Sequence, residues 1–139
     1  DSKCKPKYHA AASIVSNQVV ALFAEAQAML MECGFQPETA MDALKKIFLG
    51  NAKHVAQVGP VKALTGPVQR GDVSTVAKHL SMLEKPKDRL LYLLLSERLM
   101  EVAKKGKADY QEKAMRDLLD NSYSQLLAEE YSRLKGDRN

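Results

Sequence analysis

Residues 60–80, PVKALTGPVQRGDVSTVAKHL, bring together the residue types of a small-molecule site. The Thr-Gly-Pro of residues 65–67 predicts a turn, and a Gly-Asp step predicts a new helix capped by the Asp72 carboxylate. Arg70 lies between this turn and the start of the new helix. A cation, backbone N–H groups and a helix N-terminus therefore share one loop. This combination suits an anionic or carbonyl-bearing ligand. The alternative is a well-capped connection between helices that binds nothing.

A second set of polar residues lies in the first predicted helix. His9, Ser13, Ser16 and Asn17 follow one another at helical spacing, so they share one face of that helix. The rest of the helix is apolar and predicts burial, and buried polar groups need partners. Those partners are either other side chains in an internal network or a ligand, and both interpretations stay open.

The sequence contains no recognisable motif for a metal site, a nucleophile elbow or a glycine-rich phosphate-binding turn. His54 and His79 have no histidine four residues away and no carboxylate that completes a metal site, so we predict no metal. No GxSxG is present, so a nucleophile elbow is not expected. The sequence also lacks GxGxxG and GxxxxGK[ST], the glycine-rich turns that hold phosphates.

Composition predicts that helices position these residues. The 139 residues are rich in aliphatic side chains, alanine and methionine, have no tryptophan and suit one domain with its own core. Gly34 is expected to end the first helix in the left-handed conformation, and Gly50 to end the second. The predicted helices cover approximately residues 8–32, 37–49, 51–58, 73–83, 90–102 and 108–134.

The first of these helices is apolar nearly all round, which predicts burial either at the centre of the domain or in a dimer. Polar side chains along it argue against a transmembrane span, and we predict no membrane association. These side chains are Ser13, Ser16, Asn17, Gln18, Glu25 and Gln27.

Charge and cysteine usage predict a cytoplasmic protein that does not bind nucleic acid. The net charge of +4 comes from basic residues scattered among acidic ones, whereas a nucleic-acid surface needs clustering. Cys4 and Cys33 are predicted to be free thiols in a reducing compartment. A helix across most of the interval between them would hold them too far apart for a disulfide.

Three segments together resemble the C-terminal helical domain of a family of Rossmann-like proteins, labelled as a domain of unknown function. These segments are YHAAASIVSNQVVAL at 8–22, ECGF at 32–35 and ALTGPVQRGDVSTVAKHL at 63–80. The layout is similar to that of pyrroline-5-carboxylate reductase, ketopantoate reductase and the 6-phosphogluconate and β-hydroxyacid dehydrogenases. The resemblance extends over roughly residues 5–105.

The resemblance implies an all-α, multi-helix bundle of the 6-phosphogluconate dehydrogenase C-terminal type, with residues 1–139 as a single domain. In such proteins an N-terminal Rossmann domain binds NAD(P), and the helical domain completes the active site and makes the dimer. The present chain matches only the helical part. We therefore expect no cofactor on this chain alone, no activity from it in isolation, and a strand, GxGxxG and helix encoded upstream of Asp1.

The same resemblance implies roles for individual residues. His9 and Asn17 would act at the nicotinamide side of the cleft, where related dehydrogenases use a lysine and an asparagine. Ser13 and the TGPxxRGD pattern would bind the substrate, with Asp72 mainly capping its helix and orienting Arg70. That pattern comprises Thr65, Gly66, Pro67, Arg70 and Asp72. The polar stripe and the loop are expected to face one cleft.

The leading hypothesis is the substrate-binding and dimerisation domain of an NAD(P)-dependent oxidoreductase acting on a small carbonyl or imine. His9 is the candidate acid or base, since the ordinary histidine pKa near 6.5 suits proton transfer at neutral pH. The alternative is a non-catalytic helical module that serves a homodimer.

Overall fold

The structure is a computed structural model that describes residues 4–136, and within that range it is helical without strands. The predicted all-α class is confirmed. In chain order the helices are α1 (Lys5–Ser13), a π-helical segment (Ile14–Gln18), α2 (Val19–Glu32), α3 (Pro37–Val58), α4 (Pro60–Ala63), α5 (Pro67–Arg70), α6 (Val73–Met82), α7 (Pro86–Gly106) and α8 (Glu112–Gly136).

Contacts divide the chain into two compact units, one ending at Lys53 and one beginning at His54. The second unit contains a buried cluster, in which α7 packs against α8 and the short helices α5 and α6 close the sides. Its buried members are Val68, Val76, Leu80, Leu93, Met100, Met115, Leu119 and Leu126. The organisation of residues 1–139 as a single domain stays a prediction.

The first unit has much less buried surface. The ring of Phe23 on α2 meets that of Phe48 on α3 edge to face, with centroids 5.3 Å apart. The Gln27 side-chain amide donates to the carbonyl of Pro37 at 3.0 Å. These contacts place α3 along one side of α2.

Burial of the first helix at the centre of the domain, one of its two predicted settings, is not found within residues 4–136, and its burial in a dimer stays a prediction. No residue of Lys5–Glu32 is buried, and Ile14 and Val15 remain 55% and 75% exposed. The reason is geometric, because a helix that is apolar all round cannot be covered by one neighbour along one side. The sequence pattern correctly indicates apolar faces, but this chain alone leaves them uncovered.

By length and composition alone, Lys5–Glu32 is also long enough and apolar enough to cross a bilayer, with a mean hydropathy of 1.3 in its best window. One such helix is weak evidence, since core helices and N-terminal signal sequences have the same properties. The absence of membrane association stays a prediction.

Several predicted helix ends agree with the structure and several do not. Gly34 has φ +91° after α2, as predicted. Gly50 does not end a helix, because α3 continues through it to Val58. An interior glycine costs only about 1 kcal/mol relative to alanine, which the neighbouring helix formers offset.

The last two helices are displaced from their predicted starts. Helix α7 begins at Pro86, four residues before the predicted start, and α8 begins at Glu112, four residues after it. A turn delays α8: the Tyr110 amide donates to the carbonyl of Lys107, and the Glu112 amide to that of Tyr110. Cys4 and Cys33 are exposed free thiols, as predicted.

Candidate functional site

Asp72 forms the most heavily bonded part of the predicted loop. Its carboxylate accepts hydrogen bonds from the Thr75 amide at 3.1 Å, the Thr75 hydroxyl at 2.8 Å and the Ser74 hydroxyl at 3.0 Å. The predicted cap on α6 is therefore confirmed. Because Asp72 itself bonds to the N-terminus of α6, that terminus is not the open anion site that the sequence suggested.

The same hydrogen bonds lower the pKa of Asp72 below its ordinary value. The Thr75 hydroxyl is the main cause, followed by the Thr75 amide, Ser74 and the charge of Arg70. Donors that stabilise the carboxylate make it harder to protonate. The capping interaction is consequently retained down to acidic pH.

We expect Asp72→Ala to lower the midpoint of thermal unfolding by a few degrees at pH 7. The native pKa is lowered, so the stabilisation is complete above the unfolded value of about 3.9 and disappears as pH falls through the native value. Thermal melts of wild type and variant should therefore converge once the pH falls below the lowered native pKa of Asp72. The exposed Asp109→Ala should melt like wild type, and an equal loss there would contradict the capping role.

Arg70 lies on α5, directly before the left-handed Gly71, whose φ is +74°. Its side chain is 59% exposed, and its nearest carboxylate oxygen, on Asp72, is 3.8 Å away. A guanidinium carries five N–H donors, so most remain for another partner. The structure thus presents a weakly paired cation at the end of the loop.

The turn before α5 leaves amide donors in the same loop. Gly66 has φ +99°, a conformation that favours glycine, and Pro67 opens α5 at its first turn. Within residues 4–136, no backbone carbonyl accepts from the amides of Thr65 or Gly66. These two donors and Arg70 are the groups of this loop that suit a carboxylate or a carbonyl.

Tyr110 holds this loop in place, a role that the sequence did not reveal. Its hydroxyl donates to the carbonyl of Val68 at 2.7 Å, across 42 residues of sequence, and the Val68 side chain is buried in the core. Burial raises the pKa of Tyr110, so the hydroxyl stays protonated as a donor. No sequence signal marks a contact of this separation.

The polar stripe lies in the first unit and differs from its prediction. His9, Ser16 and Asn17 are exposed and Ser13 is half-buried, so a buried polar network is not found there. Exposure of the helix removes the need for such a network. The Ser16 hydroxyl donates to the carbonyl of Ala12 at 2.7 Å.

Two members of the stripe, Ser16 and Asn17, lie in the π-helical segment Ile14–Gln18. A π-turn is wider than an α-turn, so Asn17 is rotated from the position that regular helical spacing gives it. Such turns are rare and occur often at functional sites. The loop belongs to the second unit, and a common cleft for stripe and loop stays a prediction.

A further polar pair joins α6 to α7. His79 Nδ1 lies 2.7 Å from the Tyr92 hydroxyl, and the two rings meet edge to face. Burial raises the pKa of Tyr92, which keeps its phenol protonated near neutral pH. No sequence pattern indicated this contact.

Residues 4–136 do not form a dinucleotide site of the Rossmann type. That site needs a strand leading through a glycine-rich turn into a helix, and this range contains no strand. The absence of a bound cofactor on this chain alone stays a prediction. In the same range, no group of three or more His, Cys, Asp or Glu side chains is placed to hold a metal ion.

Comparison with known proteins gives one match. The family described as Domain of unknown function (DUF2520) matches residues 1–99, which include the polar stripe and the whole Thr65–Asp72 loop. No curated protein and no solved structure matches the chain. Since the match extends over well over half of its length, the chain belongs to the DUF2520 family.

Proposed function

We propose that this chain is the substrate-binding and dimerisation domain of an NAD(P)-dependent oxidoreductase acting on a small carbonyl or imine. The nicotinamide would supply or accept the hydride and would be bound mainly by residues outside this chain. The compartment we propose is the cytoplasm, and the partners are a small-molecule substrate and a second copy of the chain.

The observation that carries this proposal is the set of unused donors around Arg70. Its guanidinium is mostly exposed and lies only loosely against Asp72, and the amides of Thr65 and Gly66 make no backbone bonds within the described residues. Burial of Val68 and the Tyr110 hydrogen bond hold the loop against a packed core. Fixed donors of this kind bind a carboxylate with little loss of entropy.

The first helix contributes the candidate proton-transfer groups in this proposal. His9 and Asn17 are accessible, and Asn17 lies in the π-helical segment. The family resemblance supports their assignment to the reacting end of the substrate.

The second candidate is a non-catalytic dimerisation module. The uncovered apolar surface of Lys5–Glu32 favours it, because a large exposed apolar surface marks an interaction site. Both candidates include a homodimer, so only activity separates them.

The proposal is tested by Arg70→Gln in the full-length protein that contains this chain. NADPH oxidation would be followed with a panel of small 2-oxo acids and imino acids. Loss of a charge-assisted hydrogen bond at an exposed site should raise KM about tenfold and change kcat little.

Lys78→Gln provides the matched control, since Lys78 is an exposed cation on the neighbouring helix α6. Its KM should equal that of wild type. An unchanged KM in Arg70→Gln, or an equal rise in both variants, would remove Arg70 from the binding site. No nucleotide-dependent turnover with any of these substrates would favour the non-catalytic module.

A further inference from the structure

The charges of the Lys5–Glu32 helix are separated between its two ends. Lys5 and Lys7 lie in its first turn, whereas Glu25 and Glu32 lie toward its end. Residues 8–24 between them contain no Asp, Glu, Lys or Arg. The helix is therefore basic at one end, acidic at the other and uncharged in between.

The uncharged middle carries large apolar side chains that the described part of the first unit leaves exposed. Ile14, Val15 and Val20 are all more than half exposed. An open groove of about 540 Å³ continues this surface between α2 and α3, lined almost wholly by apolar atoms. Its lining includes Val20 and Phe48.

We propose that two copies of the chain pair through this helix in antiparallel orientation about a twofold axis. Antiparallel pairing places the Lys5 and Lys7 end of each copy against the Glu25 and Glu32 end of the other. Parallel pairing would place like charges together, which is unfavourable. Matching opposite charges puts the axis beside residues 16–19.

The size of the helix is compatible with such an interface. Twenty-eight helical residues extend about 42 Å, and a contact strip about 10 Å wide gives on the order of 400 Å² per copy in projection. A stable interface buries about 800 Å² per partner. The groove and the exposed Met41 and Leu49 of α3 extend the strip toward that area.

This pairing rests on the dimerisation part of the proposed function and is independent of the oxidoreductase part. The two native cysteines can report the orientation of the pair, because they are exposed and lie at opposite ends of the helix. Within one copy they are about 40 Å apart, beyond the reach of a short bismaleimide. Across the antiparallel pair, Cys4 of one copy lies near Cys33 of the other.

Cross-linking of the native chain with a short bismaleimide tests the orientation. Antiparallel pairing predicts a covalent dimer joined through Cys4 and Cys33, and mixing isotopically labelled with unlabelled chains shows that the bond is between copies. Each single variant, Cys4→Ser or Cys33→Ser, should fail to form the covalent dimer. Sedimentation of each variant should still show a non-covalent dimer. In a parallel pair, each single variant would still cross-link through its remaining cysteine.

Charge reversal provides a second test that does not depend on the thiols. Lys5→Glu with Lys7→Glu should raise the dimer dissociation constant on the order of tenfold at low salt, and adding Glu25→Lys with Glu32→Lys should restore it. Lys87→Glu with Lys105→Glu, at exposed positions of α7 in the second unit, is the matched control and should leave it unchanged.

The outcomes separate the possible failures. A dimer that cross-links Cys4 to Cys4, or not at all, overturns the antiparallel pairing and leaves the proposed dimerisation intact. A monomer at high micromolar concentration overturns both. A chain that sediments with phosphatidylcholine vesicles and is monomeric in detergent would assign the helix to a membrane instead, which also overturns the pairing.

Discussion

On the proposed oxidoreductase function, His9→Gln is expected to lower kcat of the full-length protein about 100-fold, the lower end of the contribution of a positioned acid or base. Glutamine keeps a polar side chain of similar size but cannot exchange a proton with the substrate. KM should change little, because proton transfer acts on the transition state rather than on the bound ground state. His9 is exposed on α1, so the substitution removes no core contact and the fold should be unaffected.

His54→Gln is the matched control for this experiment. His54 is also exposed and helical, on α3, and has no predicted role. Its kcat should equal that of wild type. Unchanged turnover in His9→Gln would remove the catalytic role, and circular dichroism of both variants would show that the helices are intact.

Local physical chemistry explains which parts of the fold the sequence could predict. The left-handed Gly34 and the cap at Asp72 each depend on one residue and its immediate neighbours. The passage of α3 through Gly50 depends instead on a sum of small propensities over 22 residues. A single glycine therefore gave the wrong helix end there.

Contacts between segments that are far apart in the chain could not be predicted from the sequence. The sequence of Lys5–Glu32 correctly indicates apolar faces but does not say which surface covers them. The Tyr110 bond to Val68 and the His79 bond to Tyr92 join residues that are 42 and 13 positions apart. Such pairs depend on the final placement of helices, which a single sequence does not specify.

The contribution of helix α8 to the core also depends on packing between distant segments. It is the basis of the second prediction, a large loss of stability. The family match ends at residue 99, before α8 begins at Glu112. Yet Met115, Leu119 and Leu126 of α8 belong to the buried cluster of the second unit. Arg89 on α7 also forms a bidentate ion pair with Glu129 on α8. The helix therefore completes the core on which the Arg70 loop rests.

We expect Met115→Ala to destabilise the second unit by about 3 kcal/mol, within the 2–5 kcal/mol usual for truncating a buried methionine. Met115 is 0% exposed, so the lost side chain leaves both a transfer cost and a cavity. The midpoint of thermal unfolding should fall by about 10 °C. Urea unfolding followed by circular dichroism measures the change in free energy directly.

Met82→Ala is the matched control, because Met82 is the same residue type at 78% exposure. Its free energy of unfolding should stay within about 0.5 kcal/mol of wild type. Equal stability of the two variants would show that α8 does not pack on α7 as described. The unequal loss that we expect would instead make residues beyond the family match a structural requirement for the loop that carries Arg70.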